Sequence, residues 1–301
     1  MECETIHPTR SLLTQTRSLL RRFGLRARKG LGQHFLIDEK VLKSIVSAAE
    51  LTPQDVIIEV GPGLGVLTRE LARRAGCVIA VELDDQLAAI LKETLAVYKN
   101  VAIVNEDVLK VNPIDLLKGH TARLTMGVVT PSHYKVVANL PYYITSPILR
   151  HFLEALAKPE TMVVMVQKEV PEEITAEPGR MSLLSIGIQL YGVPTIVSHV
   201  PAESFFPPPE VDSAILRINV YPRPAVSVDV ESFFTVVRAG FSAARKQIAN
   251  SLAQGLGLPK SEVLPLLEKA RIESQRRAET LTIEEWARLW RIFHEMGRVA
   301  C

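Results

Sequence analysis

Four consecutive residues, Asn139-Leu140-Pro141-Tyr142, could do chemistry on an exocyclic amine. An amine on an aromatic ring is a poor nucleophile because its lone pair is delocalised into the ring. A site that accepts hydrogen bonds from both N–H groups draws the nitrogen toward tetrahedral geometry and frees the pair. The Asn139 side-chain oxygen and the Leu140 carbonyl are suitable acceptors, and Pro141 stiffens the turn that presents them. Tyr142 adds an aromatic face for a base, and such stacking is worth about 1–3 kcal/mol. No strong general base is needed, since the proton on the nitrogen becomes acidic once that nitrogen is alkylated.

A second constellation lies upstream. Glu59-Val60-Gly61-Pro62-Gly63-Leu64-Gly65 falls between a strand pattern and a helix pattern, where Gly61 and Gly63 let a ligand approach the helix N-terminus closely. A dinucleotide fingerprint spaces its glycines G-x-G-x-x-G, but here the third comes one place early and position 66 is Val. G-x-G-x-G after a strand-end acid is the arrangement of S-adenosylmethionine-dependent methyltransferases, whose ligand has no pyrophosphate to cradle. Glu82, 21 residues past Gly61, ends the next strand and can accept both ribose hydroxyls. Asp107 follows the third strand, placed to accept a hydrogen bond from the adenine amino group.

Alternating elements must position these residues. Val56–Val60, Val78–Glu82, Val101–Asn105, Lys135–Ala138 and Met162–Val166 read as strands, separated by helical patterns, and such alternation argues for a parallel sheet covered on both faces. Asp38 is a plausible N-cap for a helix running to about Glu50. The β-rich runs Thr195–Val200 and Ala214–Val220 leave no room for a helix between them, so they are expected as antiparallel neighbours. The fold class expected is α/β: a Rossmann-like seven-stranded S-adenosylmethionine-dependent methyltransferase sheet with a small C-terminal helical domain. Tyr221-Pro222-Arg223-Pro224 reads as a linker, which divides the chain into a basic segment 1–30, a methyltransferase domain 31–224 and a helical RNA-binding domain 225–301.

Composition excludes other classes. At 301 residues and 47% hydrophobic, the chain is too apolar to be largely disordered, and no apolar run approaches the roughly 18–20 residues of a spanning helix. Cys3, Cys77 and Cys301 share no metal-ligand spacing, so neither a metal site nor a disulfide framework is expected, and a reducing compartment such as the cytoplasm is. Net charge is only +2, but residues 1–30 carry Arg10, Arg17, Arg21, Arg22, Arg26, Arg28 and Lys29 against Glu2 and Glu4. With Arg245, Lys246, Arg276 and Arg277 near the other end, basic ends flank a mildly acidic body, an asymmetry suited to a polyanionic partner.

Taken together, these residues resemble the ribosomal RNA adenine N6,N6-dimethyltransferases, in particular the bacterial small-subunit (16S) enzymes. The resemblance runs from about Gly30 to Leu281. It includes Leu31 to Leu36, Glu59 to Gly65, Val81 to Asp84, Asn139 to Tyr142 and Gln167 to Val170, then Phe205 to Ser213, Phe241, Arg245-Lys246, Asn250 to Leu252 and Arg277 to Glu279. It implies an enzyme of ribosome biogenesis that acts as a monomer, without membrane association, on 16S rRNA in the immature small subunit. S-adenosyl-L-methionine would be the cofactor, contacted by His34, Leu36, Gly61, Gly63, Glu82, Asp107 and Asn139, and Phe205 would stack on the target adenine opposite Tyr142. The chain departs from the family pattern at Arg180 to Leu183, at an insertion over Thr121–His133 and at Glu210. A large-subunit adenine methylase of the macrolide-resistance type and a non-catalytic RNA-binding relative remain alternatives at this point.

Overall fold

A computed structural model describes residues 11–25, 33–124, 133–243 and 245–297. Nine strands occur among them: β1 (Phe35–Leu36), β2 (Val56–Val60), β3 (Cys77–Glu82), β4 (Val101–Asn105), β5 (Tyr134–Asn139), β6 (Thr161–Gln167), β7 (Gly192–Val200), β8 (Phe205–Phe206) and β9 (Ser213–Val220). Seven form one sheet in the order β4-β3-β2-β5-β6-β9-β7, the architecture expected from the alternation. β2, β3, β4, β5 and β6 pair in parallel, while β9 runs antiparallel to β6 and sits beside β7. Strand order reverses between β2 and β5, and open α/β sheets bind ligands in the crevice at such a switch point. β2 and β3 are buried at every position, which is why their sequences run apolar instead of alternating.

Helices α1 (Leu12–Arg22), α2 (Glu39–Ala48), α3 (Val66–Ala72), α4 (Asp85–Thr94), α5 (Pro113–Leu124) and α6 (Thr145–Leu153) accompany this sheet, and α7 (Glu169–Ile174) follows β6 in the chain. Asp38 caps α2 as read, its Oδ1 accepting the Lys40 N–H at 2.8 Å. Residues 125–132 of the insertion lie outside the described residues; the part before them extends α5. The basic N-terminal segment holds more than charge. Ser11 caps α1, which buries Leu12, Thr16 and Leu20 and exposes Arg21 and Arg22. Leu20 packs with Phe35, Leu64 and Leu87, so α1 supports the wall of the ligand crevice.

The chain divides into two compact units. One comprises Met1–Pro171 with Thr195–Val220, the other Glu172–Pro194 with Tyr221–Cys301. Residues 172–194, placed by the linker reading in the methyltransferase domain, thus group with the C-terminal helices. That unit contains α8 (Leu183–Gln189), α9 (Val230–Phe241), α10 (Ile248–Leu256), α11 (Lys260–Lys269) and α12 (Ile283–Glu295). Backbone bonds from Gly179 and Met181 to the Glu279 carbonyl, and from Ala225 to Leu190, account for the grouping. Its core centres on Trp286, Phe233 and Phe293, all fully buried. Arg276 is part of that framework. Its guanidinium holds Glu285 through two bonds, 2.6 and 2.9 Å, and also contacts Thr280, so it is a structural ion pair instead of a free basic residue. No helix among the described residues is long and apolar enough to cross a membrane.

Candidate active site

A cleft opens at the C-terminal ends of β2, β3, β4 and β5. Its floor is the glycine turn after β2. Gly61, Gly63 and Gly65 all take left-handed backbone, with φ of +64°, +60° and +75°, a conformation that costs a side-chain-bearing residue dearly. Space matters as well: a Cβ on Gly63 would lie 3.3 Å from Phe35 Cε1, and one on Gly65 3.0 Å from Leu91 Cδ2. The turn is anchored where Gly61 N–H donates to the Val81 carbonyl at 2.9 Å.

Glu59, Glu82 and Asp107 line this floor and its neighbours, together with Asp84 and Glu106. Glu82 is buried, and its two oxygens accept the N–H groups of Gly63 at 3.1 Å and Asp84 at 3.0 Å. Burial pushes its carboxyl above the usual carboxylate range, against the pull of those two bonds. Each oxygen retains accepting capacity toward the cleft. Asp107 is half-buried, and its Oδ1 caps the following single helical turn by accepting from Leu109 N–H at 3.1 Å. Glu59 is 1% exposed, and no group among the described residues satisfies its Oε2. Burial pushes its carboxyl up to about 8, with the Glu82 charge adding to the effect and the neighbouring Thr68 hydroxyl and the Arg69 charge opposing it.

Glu59 therefore keeps its proton in the folded chain at pH values where the unfolded chain has lost it. By linkage, this group makes stability fall as pH rises from the ordinary carboxylate range toward about 8. Glu59→Gln should flatten that part of the curve and melt higher than the parent at the alkaline end. Thermal melts of both chains between about pH 5 and about pH 8 check this, and parallel curves would exclude a buried proton at Glu59.

The fourth wall is Asn139 to Ile144. Asn139 Nδ2 donates to the His34 carbonyl at 3.2 Å, and Leu140 N–H donates to the Met165 carbonyl at 3.0 Å. The first bond fixes which end of the amide is used up and leaves Oδ1 as the acceptor. The second leaves the Leu140 carbonyl at the turn while its side chain is buried. Tyr142 is half-buried, with its hydroxyl 2.7 Å from Ser213 Oγ and its ring stacked on His34 at 5.9 Å and 16°. His34 Nδ1 in turn donates to the Pro207 carbonyl at 2.8 Å. Leu36 also lines the cleft, and β1 pairs antiparallel with β8, setting Leu36 opposite Phe205 and Phe35 opposite Phe206.

The structure thus brings His34, Leu36, Gly61, Gly63, Glu82, Asp107, Asn139, Leu140 and Tyr142 together around one cleft. Phe205 is the exception. It is 2% exposed and packs in the core with Leu36, Val200 and Ile215, so it does not line the cleft. Its strand neighbour Phe206 is the half-exposed ring, with the Arg17 guanidinium 5.1 Å above it. Tyr143, 56% exposed at the cleft wall, and Ser213, behind Tyr142, also belong here, and the sequence alone assigns neither a role. Adjacency to Tyr142 is the available signal for Tyr143; for Ser213 it is its place at the end of the Phe205 to Ser213 stretch that carries the resemblance.

The cleft suits S-adenosylmethionine on chemical grounds. A left-handed glycine turn lining the cleft, a buried carboxyl with accepting capacity left at Glu82 and an unsatisfied buried oxygen at Glu59 match a ligand with a ribose, an ammonium group and a sulfonium.

Comparison with known proteins agrees with this chemistry. Residues 24–294 match the family model described as ribosomal RNA adenine dimethylase. The chain is 53% identical over 289 residues to a ribosomal RNA small subunit methyltransferase A from Dehalococcoides mccartyi, covering 95% of each protein. It is 46% identical to the protein of the same name from Moorella thermoacetica, over 92% of this chain and 96% of that one. Among solved structures, the 23S rRNA methyltransferase ErmE is similar at 31% identity and a TM-score of 0.66, with 86% of this chain and 99% of that one aligned. A dimethyladenosine transferase from Plasmodium falciparum shares the fold, at 24% identity and a TM-score of 0.74, over 88% and 99% of the two chains. A match of this extent, on a methyltransferase sheet that carries the Asn-Leu-Pro-Tyr turn at its switch point, makes the chain a member of the ribosomal RNA adenine dimethylase family.

Proposed function

We propose that this enzyme transfers methyl groups from S-adenosylmethionine to N6 of two adjacent adenines near the 3′ end of 16S rRNA, giving N6,N6-dimethyladenosine in the immature small subunit. The observation that carries the reading is the Asn139 amide. Its nitrogen is committed to the His34 carbonyl, so its oxygen is the atom offered to an incoming N–H. Bound S-adenosylmethionine supplies an electrophilic methyl group on a sulfonium. Gly61 and Gly63 leave room for it, Glu82 accepts its ribose hydroxyls, and Asp107 accepts from its adenine amino group. His34 and Leu36 close the N-terminal side of the pocket.

The protein's part in the reaction is to activate and place the adenine. Asn139 Oδ1 and the Leu140 carbonyl accept the two N–H bonds, which turns the N6 lone pair out of the ring. Tyr142 supports the base, which must leave its stack to reach the site. With both polar acceptors neutral, the proton leaves to water once the nitrogen carries the new methyl group. RNA would be held by exposed cations: Arg21 and Arg22 on α1, and Arg245, Lys246 and Arg277 in the helical domain 225–301. Arg22 already meets Glu93 at 2.8 Å, and Arg276 leaves this group because Glu285 neutralises it. Arg26, Arg28 and Lys29 lie outside the described residues. A monomer working in the cytoplasm fits this reading.

The similarity to a 23S rRNA methyltransferase keeps a large-subunit substrate as the second reading. The small-subunit reading is favoured by the higher identity of the relatives named for that subunit and by their fuller coverage of this chain. Labelled methyl transfer to undermethylated small and large ribosomal subunits decides between them. Incorporation of two methyl groups per adenine into small subunits alone is the result expected; labelling of large subunits would overturn it.

A further inference from the structure

Tyr142 is anchored at its far end by a residue outside the cleft. Ser213 is the first residue of β9, in register with Gln167 of β6, and is fully buried. Its successors Ala214, Ile215 and Leu216 are buried and apolar, so a hydroxyl at this position is the exception in its strand. A buried hydroxyl is costly unless it is paired, and its partner here is the Tyr142 hydroxyl at 2.7 Å. The other restraint on the tyrosine is His34, stacked on its ring and itself fixed to the Pro207 carbonyl. A phenol ring held at its tip and on one face has little rotational freedom left. An unanchored one would sample several rotamers, and each of them would place an incoming base differently.

We propose that Ser213 is a positioning residue for methyl transfer, its buried hydroxyl setting the plane of Tyr142 before the adenine arrives. The inference rests on the reading of Tyr142 as the residue that supports the target base. A pre-set ring removes the ordering that the substrate would otherwise impose, and errors of about 1 Å in such placement cost up to about a hundredfold in rate. Breaking one neutral buried hydrogen bond accounts for about a tenfold share of that. Ser213 lines no part of the cofactor pocket, so affinity for S-adenosylmethionine should be untouched.

The test compares Ser213→Ala, Tyr142→Phe, the double variant and Tyr142→Ala, each in the full chain. The readouts are kcat at saturating small subunits and cofactor, cofactor affinity by calorimetry, and Tm. Ser213→Ala and Tyr142→Phe should each lower kcat about tenfold with cofactor affinity unchanged. The double variant should be no slower than either single, because both remove the same bond. A purely structural serine would lower Tm while kcat stayed at the parent value, and that result overturns the proposal. Losses that multiply in the double variant overturn it too. If Ser213→Ala does not fold, Tyr142→Phe alone decides, since parental kcat there means the bond positions nothing. Tyr142→Ala separates the two layers: parental activity in it removes the base-support reading itself, whereas its inactivation beside a fully active Ser213→Ala removes only the role of the serine.

Discussion

Asn139→Ala should reduce methyl transfer by about 100–1,000-fold while RNA binding survives, the scale of losing one transition-state hydrogen bond in a preorganised site. The side chain ends β5 at the switch point of the sheet, where pairing of Asn139 with Met165 of β6 holds the backbone. Its Nδ2–H bond to the His34 carbonyl fixes the amide and aims Oδ1 for an acceptor role. That role strengthens as the adenine nitrogen loses planarity, so the lost energy belongs to the transition state and not to the ground state. The rate at saturation should therefore fall far more than substrate affinity. Asn139→Asp is the informative companion. It keeps an oxygen at the acceptor position but cannot donate to the His34 carbonyl, so the carboxylate loses its anchor and faces a carbonyl dipole. Single-turnover kinetics with saturating RNA and cofactor measure both. Transfer by Asn139→Ala near the parent rate would exclude amine activation by this residue.

The features legible in the sequence are those whose cause is local. Val78–Glu82 reads as a strand because a parallel strand buried on both faces runs apolar, as Val78 to Val81 do before the terminal Glu82. The glycine turn is legible because left-handed backbone at three alternating positions demands glycine. Features decided by partners distant in the chain were not legible. Two adjacent phenylalanines in a strand point to opposite sides, and nothing in Phe205-Phe206 says which one faces the core. The pairing of β8 with β1 decides it, and β1 lies some 170 residues earlier. The pairing of Arg276 with Glu285 likewise depends on how the turn at Thr280 folds back onto α12. The helix within the basic segment was obscured by its own charge, although Leu12, Thr16 and Leu20 recur every four residues along its buried side.

Glu82→Ala should raise the dissociation constant for S-adenosylmethionine about a hundredfold and leave a folded chain. The carboxylate sits at the end of β3 with one oxygen on Gly63 N–H and the other on Asp84 N–H. Those bonds orient it without exhausting it, since a carboxylate has about four acceptor sites. Two hydrogen bonds from ribose hydroxyls to a charged acceptor contribute about 1.5–3 kcal/mol each, which would exceed a hundredfold together. Part of that is offset, because burial already raises the carboxyl above its ordinary range and makes its charged form costlier to keep. The folded state should tolerate the change better than a buried ion pair would. Removing the carboxylate unpairs the part-buried Gly63 N–H and the buried Asp84 N–H, but the space it leaves adjoins the cleft, so water can take its place. Glu82→Gln tests the split between charge and shape: it keeps one accepting oxygen, so it should retain part of the affinity that alanine loses. Calorimetry on both variants, with Tm as the control for folding, measures this. Parental affinity in a folded Glu82→Ala would mean that the ribose is held elsewhere in the cleft, by another of its acids such as Asp107 or Glu106.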